Sequence, residues 1–136
     1  MNESEFRGFV TRYTAAWRSQ DPGRVAAFFA EGASLKINDG APAVGRAAIT
    51  AVAQEFMTTF PDMVVIADSV NLDGRQAVYR WTLIGRNTGP GGTGNAVRIS
   101  GYEDWILGTD GLIADSKGHF DEAEYQRQLR GSSKKA

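Results

Sequence analysis

The sequence AVYRWTLIGR at residues 77–86 alternates large side chains that favour burial with residues that face the other way. The large side chains on one side are those of Tyr79, Trp81 and Leu83. The stretch VRISGYEDWIL at residues 97–107 repeats this period of two, with Glu103 and Trp105 on the same side. Because successive side chains of a strand point to opposite faces, the two stretches predict neighbouring strands of a sheet with one buried face.

Short turns connect these strands to others before and after them. Asp73-Gly74 follows an apolar, β-branched stretch at residues 63–72, and Asp110-Gly111 precedes a last strand predicted at residues 112–120. Both dipeptides are typical of hairpin turns, so we expect a mostly antiparallel meander. Residues 87–94 are rich in glycine, but they lack the lysine and the strand–loop–helix setting of a phosphate-binding loop. We interpret them as a flexible hairpin loop.

Helical stretches precede the strands, since apolar side chains recur there at spacings of three and four residues. The first helix carries Phe6, Phe9, Val10, Tyr13 and Trp17 on one face. A short second helix begins at Asp21-Pro22 and ends at Gly32, and a third is predicted at residues 46–59. A short terminal helix or tail is expected at residues 121–129.

The order of these elements predicts an α+β fold in which three N-terminal helices cover one face of a curved sheet. A short strand is expected at residues 33–37, between the second and third helices. The chain shows no internal repeat or linker, so we predict a single domain over residues 1–136 that ends in a polar tail at residues 131–136.

The composition excludes several classes of function. The 136 residues include no cysteine and a single histidine, His119, which argues against thiol chemistry, disulfides and a metal site. A net charge of −1 does not favour nucleic acid as a partner, and no apolar run is long enough to span a membrane. Because the first residues are acidic and show no signal peptide, we expect a cytoplasmic protein. Because the chain has no thiol and only one imidazole, we expect it to need no cofactor.

Ten short motifs, in this order, resemble the SnoaL-like polyketide cyclases and the related ketosteroid isomerases, which share the cone-shaped fold of the nuclear-transport-factor type. The motifs are Tyr13-x-x-x-Trp17, Asp21-Pro22-x-x-Val25, Gly45-Arg46-x-x-Ile49, Phe60-Pro61-Asp62, Arg80-Trp81-Thr82, Gly85-Arg86-Asn87-Thr88-Gly89, Ser100-Gly101, Asp110-Gly111-Leu112-Ile113, Phe120-Asp121 and Gln128-Leu129. The resemblance implies a curved antiparallel sheet wrapped around the helices and enclosing one apolar pocket. A pocket of that kind is the usual place for a small ligand.

The resemblance also places the candidate site residues. In the isomerases a helical tyrosine and a strand carboxylic acid donate hydrogen bonds to the substrate oxygen, and Tyr13 and Glu103 match these positions as candidate catalytic residues. The candidate ligand-binding residues are Trp17, Phe56, Trp81, Leu83, Trp105 and Phe120. The isomerase base falls near Lys36 or Ile37 and the cyclase aspartate falls near Gly118, so neither carboxylate is carried over.

Two classes of function are compatible with these residues. The first is a cofactor-independent enzyme that acts on a small hydrophobic carbonyl compound by cyclisation, isomerisation or a related enolate step. In this reading Trp105 and Trp81 desolvate Glu103 and raise the pKa of its carboxyl. The second is a non-catalytic binder of a small apolar ligand, or a protein-interaction module, on the same fold.

Structural roles compete with the functional ones at each candidate residue. Glu103 could pair with an arginine or face solvent, Tyr13 could be a core tyrosine, and the tryptophans could serve packing alone. His119 and Asp121 could form an acid–base pair, but Asp121 is better explained as the N-cap of the terminal helix. A homodimer is expected through the outward-facing residues Arg80, Thr82, Arg98, Ser100, Tyr102 and Asp104.

Overall fold

A computed structural model describes residues 2–131, and within this range the chain forms four helices and one six-stranded sheet. The helices are α1 (Glu3–Arg18), α2 (Pro22–Ala26), α3 (Arg46–Thr59) and α4 (Glu122–Arg130). The strands are β1 (Phe29–Ile37), β2 (Ala43–Val44), β3 (Val64–Asp73), β4 (Gln76–Arg86), β5 (Ala96–Leu107) and β6 (Ile113–Phe120). The α+β class is therefore confirmed, and the expected polar tail lies outside the described residues from position 132 onward.

The sheet has the order β2-β1-β6-β5-β4-β3. Strands β3 to β6 form the predicted antiparallel meander, with register pairs such as Tyr79 with Glu103 and Glu103 with Gly118. Strand β1 pairs in parallel with β6, and the two-residue β2 pairs antiparallel with β1. The parallel pair was not predicted, because nothing in the local pattern of residues 29–37 indicates a partner some eighty positions later.

Helix α1 begins after Asn2, which caps its first turn. The Asn2 side chain accepts from the Glu5 backbone N–H at 2.7 Å, and the Glu5 carboxylate accepts from the Asn2 N–H at 2.9 Å. This reciprocal cap satisfies two N–H groups that the first turn would leave free. The face that carries Phe6 and Tyr13 is buried against the sheet, and no helix within residues 2–131 is long and apolar enough to cross a membrane.

The second helix is shorter than predicted. It ends at Ala26, and the chain enters β1 at Phe29, so the predicted strand at residues 33–37 is only the second part of a longer one. Gly32 does not end a helix; it lies within β1 with a φ of +78°, where the pairing with β6 shifts register. A left-handed residue inside a strand is typical of a β-bulge, and glycine adopts it without strain.

The loop between β4 and β5 is anchored by hydrogen bonds to two helices, α3 and α4. It joins two strands as expected, and the Gly89 N–H donates to the Thr59 carbonyl at the end of α3. The Thr93 hydroxyl and the Asn95 side-chain amide donate to the Leu129 carbonyl in α4, at 2.5 and 2.9 Å. The loop therefore holds the end of α4 in place beside the sheet.

The outward face of the sheet is less uniform than predicted. Tyr102 is exposed there, but Thr82 is buried. The buried Thr82 hydroxyl donates to the Asp68 carboxylate at 2.6 Å and shares a 2.7 Å hydrogen bond with the Ser100 hydroxyl. His119 stacks on Tyr102, with ring centroids 4.8 Å apart. The homodimer through this face stays a prediction.

Candidate active site

The helices and the sheet leave a cavity of about 70 Å³. Its wall is formed by thirteen residues, twelve of which carry no ionised side chain near neutral pH. They are Trp17, Leu35, Ile37, Phe56, Val65, Tyr79, Trp81, Leu83, Ile99, Glu103, Gly118, Phe120 and Tyr125. The remaining residue, Glu103, places one carboxyl group in an otherwise apolar wall, which is the usual composition of a small-molecule site.

The carboxyl group of Glu103 is held by three hydrogen bonds on one oxygen. Its Oε1 atom accepts from the Tyr13 hydroxyl at 3.0 Å, from the Trp105 indole N–H at 2.9 Å and from the Ser116 hydroxyl at 2.9 Å. The other oxygen, Oε2, receives no hydrogen bond from residues 2–131. Oε1 is therefore fully occupied, and Oε2 is the atom that is left for a ligand or a proton.

Three different elements bring these groups together. Glu103 and Trp105 are two positions apart on β5, so their side chains share the inner face. Register pairs Trp105 with Ser116 on β6, which places the hydroxyl beside the carboxyl. Tyr13 reaches the same point from α1, with its ring 5.1 Å from that of Trp105. No flexible loop contributes a donor, so the carboxyl is held rigidly.

Burial sets the protonation states at this point. Desolvation raises the pKa of Glu103, and the donors Trp105, Ser116 and Tyr13 oppose that rise without cancelling it. Desolvation, followed by the nearby negative charge of Glu103, raises the pKa of Tyr13 well above its ordinary value. Burial likewise raises the pKa of Tyr79, whose hydroxyl shares a 2.7 Å hydrogen bond with Thr14. Both tyrosines therefore stay neutral over the range in which Glu103 ionises.

Two of the three tryptophan N–H groups have no partner. Among residues 2–131, the Nε1 atoms of Trp17 and Trp81 are the only buried side-chain nitrogen or oxygen atoms without a hydrogen bond. Both side chains line the cavity. The Trp17 N–H lies close enough to the Tyr13 hydroxyl to oppose the rise in the Tyr13 pKa, although it forms no hydrogen bond of acceptable geometry. An unmade hydrogen bond of a buried donor costs about 1–3 kcal/mol, so these groups call for an explanation.

Five of the six predicted ligand-binding residues line the cavity. They are Trp17, Phe56, Trp81, Leu83 and Phe120. Trp105 does not line it; it is 1% exposed, stacks on Tyr79 at 5.0 Å and lies behind Glu103. Tyr13 is also behind the wall, because its hydroxyl is used on Glu103 and its side chain is fully enclosed.

Ser116 matches a pocket position by the resemblance, but its hydrogen bond to Glu103 was not predicted, and Tyr125 was given no role. Ser116 is fully buried, and the signal for it was its place on the inner side of the last strand, opposite Trp105. Tyr125 comes from α4 and packs on Phe120, with ring centroids 5.3 Å apart. The helix that carries it was expected only as a short helix or tail, so its contribution to the wall was missed.

His119 and Asp121 do not form an acid–base pair in the site. The Asp121 side chain accepts from the Glu124 backbone N–H at 3.0 Å, which makes it the N-cap of α4. The His119 Nε2 atom lies 3.8 Å from an Asp104 carboxylate oxygen, on the face away from the cavity. Within residues 2–131, no cluster of three or more acidic or histidine side chains is placed to hold a metal ion.

Gly118 lies beside Glu103 in the wall, near the position at which the resemblance leads one to expect an aspartate. A Cβ atom there would lie 3.8 Å from Cγ of Glu103 and 3.7 Å from the Lys36 carbonyl oxygen, which are ordinary contacts. A Cβ atom therefore fits at position 118 without strain, and the sequence has none there. Glu103 is left as the one acidic group in the wall.

The pH dependence of stability provides a test of the burial of Glu103. A carboxyl whose pKa is raised on folding stabilises the fold fully below its unfolded value of 4.5, and this contribution is lost as the pH rises through the folded value. Relative to Glu103→Gln, the wild type is therefore expected to lose unfolding free energy above pH 4.5, by up to about 1.4 kcal/mol per pH unit. Urea denaturation of both proteins from pH 4 to 8 measures the difference. A constant difference across this range would show that the carboxyl is solvated.

Similar folds are found in several solved structures. A candidate SnoaL-like polyketide cyclase from Jannaschia sp. CCS1 shares 16% identity, with 98% of this chain and 99% of that chain covered and a TM-score of 0.77. A candidate polyketide cyclase from Xanthomonas campestris pv. campestris shares 21% identity over 95% and 99% of the two chains, with a TM-score of 0.76. A protein of ketosteroid isomerase-like fold from Catenulispora acidiphila DSM 44928, in complex with trimethylamine, shares 16% identity over 89% and 91%, with a TM-score of 0.78. No protein of curated function matches the sequence.

The sheet order, the covering helices and these likenesses define a domain of the ketosteroid isomerase-like, nuclear transport factor 2-like fold. The SnoaL-like domain matches residues 10–116, which is most of the chain. The chain belongs to the SnoaL-like domain family, and the resemblance stated from its motifs is confirmed.

Proposed function

We propose that this protein is a small-molecule enzyme that moves a proton at the carbon next to a carbonyl group, without a cofactor, in an enclosed apolar cavity. The observation that carries the proposal is the asymmetric carboxyl of Glu103, with three donors on Oε1 and none on Oε2. The family assignment supports it, because the fold neighbours include candidate polyketide cyclases. Ring closure and isomerisation of carbonyl compounds both pass through an enolate.

In the proposed step the ionised Oε2 atom of Glu103 takes a proton from the α-carbon. The electron pair of the broken C–H bond forms a carbon–carbon double bond, and the carbonyl π pair moves to the oxygen, which gives the enolate. When the protonated carboxyl first exchanges its hydrogen with D₂O, transfer of deuterium back to the same carbon gives exchange. Return of the proton to another carbon of the conjugated system gives isomerisation. Attack of the enolate carbon on a second carbonyl gives ring closure. Burial favours this step, since a desolvated carboxylate is a stronger base.

Tyr13 acts in this proposal as a positioning residue. Its hydroxyl donates to Oε1 and fixes the plane of the carboxyl, so that Oε2 faces the ligand. Ser116 and Trp105 hold the same oxygen from two further directions. This differs from the role expected for Tyr13 by resemblance, in which its hydroxyl would contact the substrate oxygen.

The size of the cavity limits the part of a substrate that it can enclose. A volume of about 70 Å³ is less than half that of an engineered cavity of roughly 150 Å³ that binds benzene. We therefore propose that the reacting end of a small hydrophobic carbonyl compound enters here. Any larger remainder would extend past the partly exposed Trp81, Phe120 and Tyr125.

Exchange of α-hydrogens for deuterium tests the proposal directly. We expect the protein to accelerate the exchange of butan-2-one in D₂O, followed by proton NMR. The rate is expected to rise with pH through a midpoint above the ordinary glutamate value, because the base is the ionised form of a carboxyl whose pKa is raised. Tyr13 and Tyr79, the titratable groups beside it, stay neutral in this range and so leave the midpoint to Glu103. A rate equal to that of buffer alone at every pH would contradict the proposal.

A second candidate function is the binding of a small apolar ligand without reaction. It is favoured by Gly118, because the wall then lacks the second acid or base that the cyclases carry. Ligand binding without acceleration of exchange would select this function.

A further inference from the structure

The unpartnered indole groups mark a polar feature that the proton-transfer step does not use. The two buried side-chain polar atoms that lack a hydrogen bond within residues 2–131 belong to residues that line one cavity. The third tryptophan of the chain, Trp105, is the internal contrast, since its N–H is satisfied by Glu103 at 2.9 Å. Buried donors in a folded protein nearly always have a partner, so two exceptions in one wall point to a partner that the ligand brings.

Each indole is held in place by its surroundings. Trp17 lies one helical turn after Tyr13 on α1, with ring centroids 6.4 Å apart, and it packs on Phe56 at 6.2 Å. Trp81 lies over Gly101, where an added Cβ atom would come within 2.7 Å of the indole Cζ2 atom. It also packs on Phe120 at 6.0 Å. Both rings are fixed by packing, so their N–H groups cannot easily turn toward other acceptors. The Tyr13 hydroxyl, which lies near the Trp17 N–H, is already engaged with Glu103.

We propose that the ligand of this cavity carries an accepting oxygen and that the indole N–H groups of Trp17 and Trp81 are its hydrogen-bond donors. The chemical class is a small ketone or aldehyde with an apolar body. The inference rests on the proposed function, and it deepens it: Glu103 takes the proton, and the indoles receive the oxygen on which the negative charge develops. Donors placed where charge develops stabilise an enolate more than a ketone.

The indole N–H signals of the wild-type protein report on this contact directly. A protein labelled with ¹⁵N in tryptophan gives one indole signal for each of its three tryptophans, assigned with single Trp→Phe variants. We expect butan-2-one to move the Trp17 and Trp81 signals downfield and to leave the Trp105 signal in place. The isosteric hydrocarbon 2-methylbut-1-ene has no oxygen, and we expect it to produce no downfield shift. Equal shifts with both probes, or a downfield shift confined to Trp105, would overturn the proposal.

A binding comparison gives a second and independent test. The quantity measured is the ratio of the dissociation constants of the alkene and the ketone, in which the cost of removing each probe from water cancels between protein variants. We expect Trp17→Phe and Trp81→Phe each to lower this ratio about 2- to 10-fold, since each removes one hydrogen bond to oxygen. Tyr102→Phe is the matched control, because it also removes a donor from an aromatic side chain, but on the outward face of the sheet, and it is expected to leave the ratio unchanged. A ratio that is the same in all four proteins would overturn the proposal.

These outcomes are separate from those of the proposed function. If butan-2-one binds through the indoles but its α-hydrogens are not exchanged, the inference holds and the protein is a binder of oxygenated ligands. If exchange is accelerated and the ratio is unchanged in both tryptophan variants, the enzyme function holds and the indole contact is wrong.

Discussion

Replacing Glu103 by glutamine is expected to slow α-hydrogen exchange of butan-2-one by at least about 100-fold, since a positioned general base contributes roughly 10²- to 10⁴-fold. Glutamine keeps the length and the accepting Oε1 atom, so Tyr13, Trp105 and Ser116 can still donate to it. It cannot accept a proton at the position of Oε2. Binding of butan-2-one, followed by the indole signals, is expected to be retained, which separates loss of chemistry from loss of the site.

Asp104→Asn is the matched control for this prediction. Asp104 is the next residue on β5 and its side chain is exposed on the opposite face of the sheet. The variant removes one carboxylate next to the site in sequence and leaves the cavity unchanged, so its exchange rate is expected to equal that of the wild type. If Glu103→Gln keeps more than about one tenth of the wild-type rate, Glu103 is not the base.

The largest effect on stability is expected at Trp105. Its side chain is 1% exposed, stacks on Tyr79 and meets the edges of Phe6, Phe9 and Tyr13 at centroid distances of 5.1–6.3 Å. Trp105→Ala is expected to lower the free energy of unfolding by about 3–5 kcal/mol, the usual result of removing a buried aromatic side chain. The lost N–H bond also leaves Glu103 with two donors.

Urea denaturation of Trp105→Ala beside Trp81→Ala measures this expectation. Trp81 is only partly buried and already borders a cavity, so it makes fewer packing contacts than Trp105. Its removal is therefore expected to lower the free energy of unfolding by less. A loss of under about 1 kcal/mol at position 105, or a larger loss at position 81, would mean that the core does not depend on the stack with Tyr79.

Local patterns predicted most of the fold because each of them reports one element. The period of two fixed the inner faces of β4 and β5, and with them the side of the sheet on which Glu103 and Trp105 lie. The spacing of Tyr13 and Trp17 fixed the helical face above them. The parallel pairing of β1 with β6 could not be predicted in this way, because it joins segments some eighty residues apart and depends on the packing of all the elements between them.

The sequence predicted most residues of the candidate site but not the hydrogen bonds between them. Burial of Glu103 followed from its apolar neighbours on β5, but the number of donors on Oε1 depends on the register that sets Ser116 beside Trp105. The direction of the Tyr13 hydroxyl depends on how α1 packs on the sheet. Only the structure separates residues that line the cavity from those, such as Trp105, that support it from behind.

The parallel pairing of β1 with β6 also determines when the cavity can form as the chain folds. Strands β3, β4 and β5 are joined by hairpins and can pair early. Strand β1 pairs with β2 on one edge, but its other edge has no partner until β6 has been synthesised. Ser116 and Gly118 belong to that last strand. The carboxyl of Glu103 is therefore exposed to water until β6 has been synthesised and has paired with β5. A chain still on the ribosome must therefore carry an unfinished apolar sheet face, and the delay before β6 docks is the interval in which it is most exposed to misassembly or to chaperones.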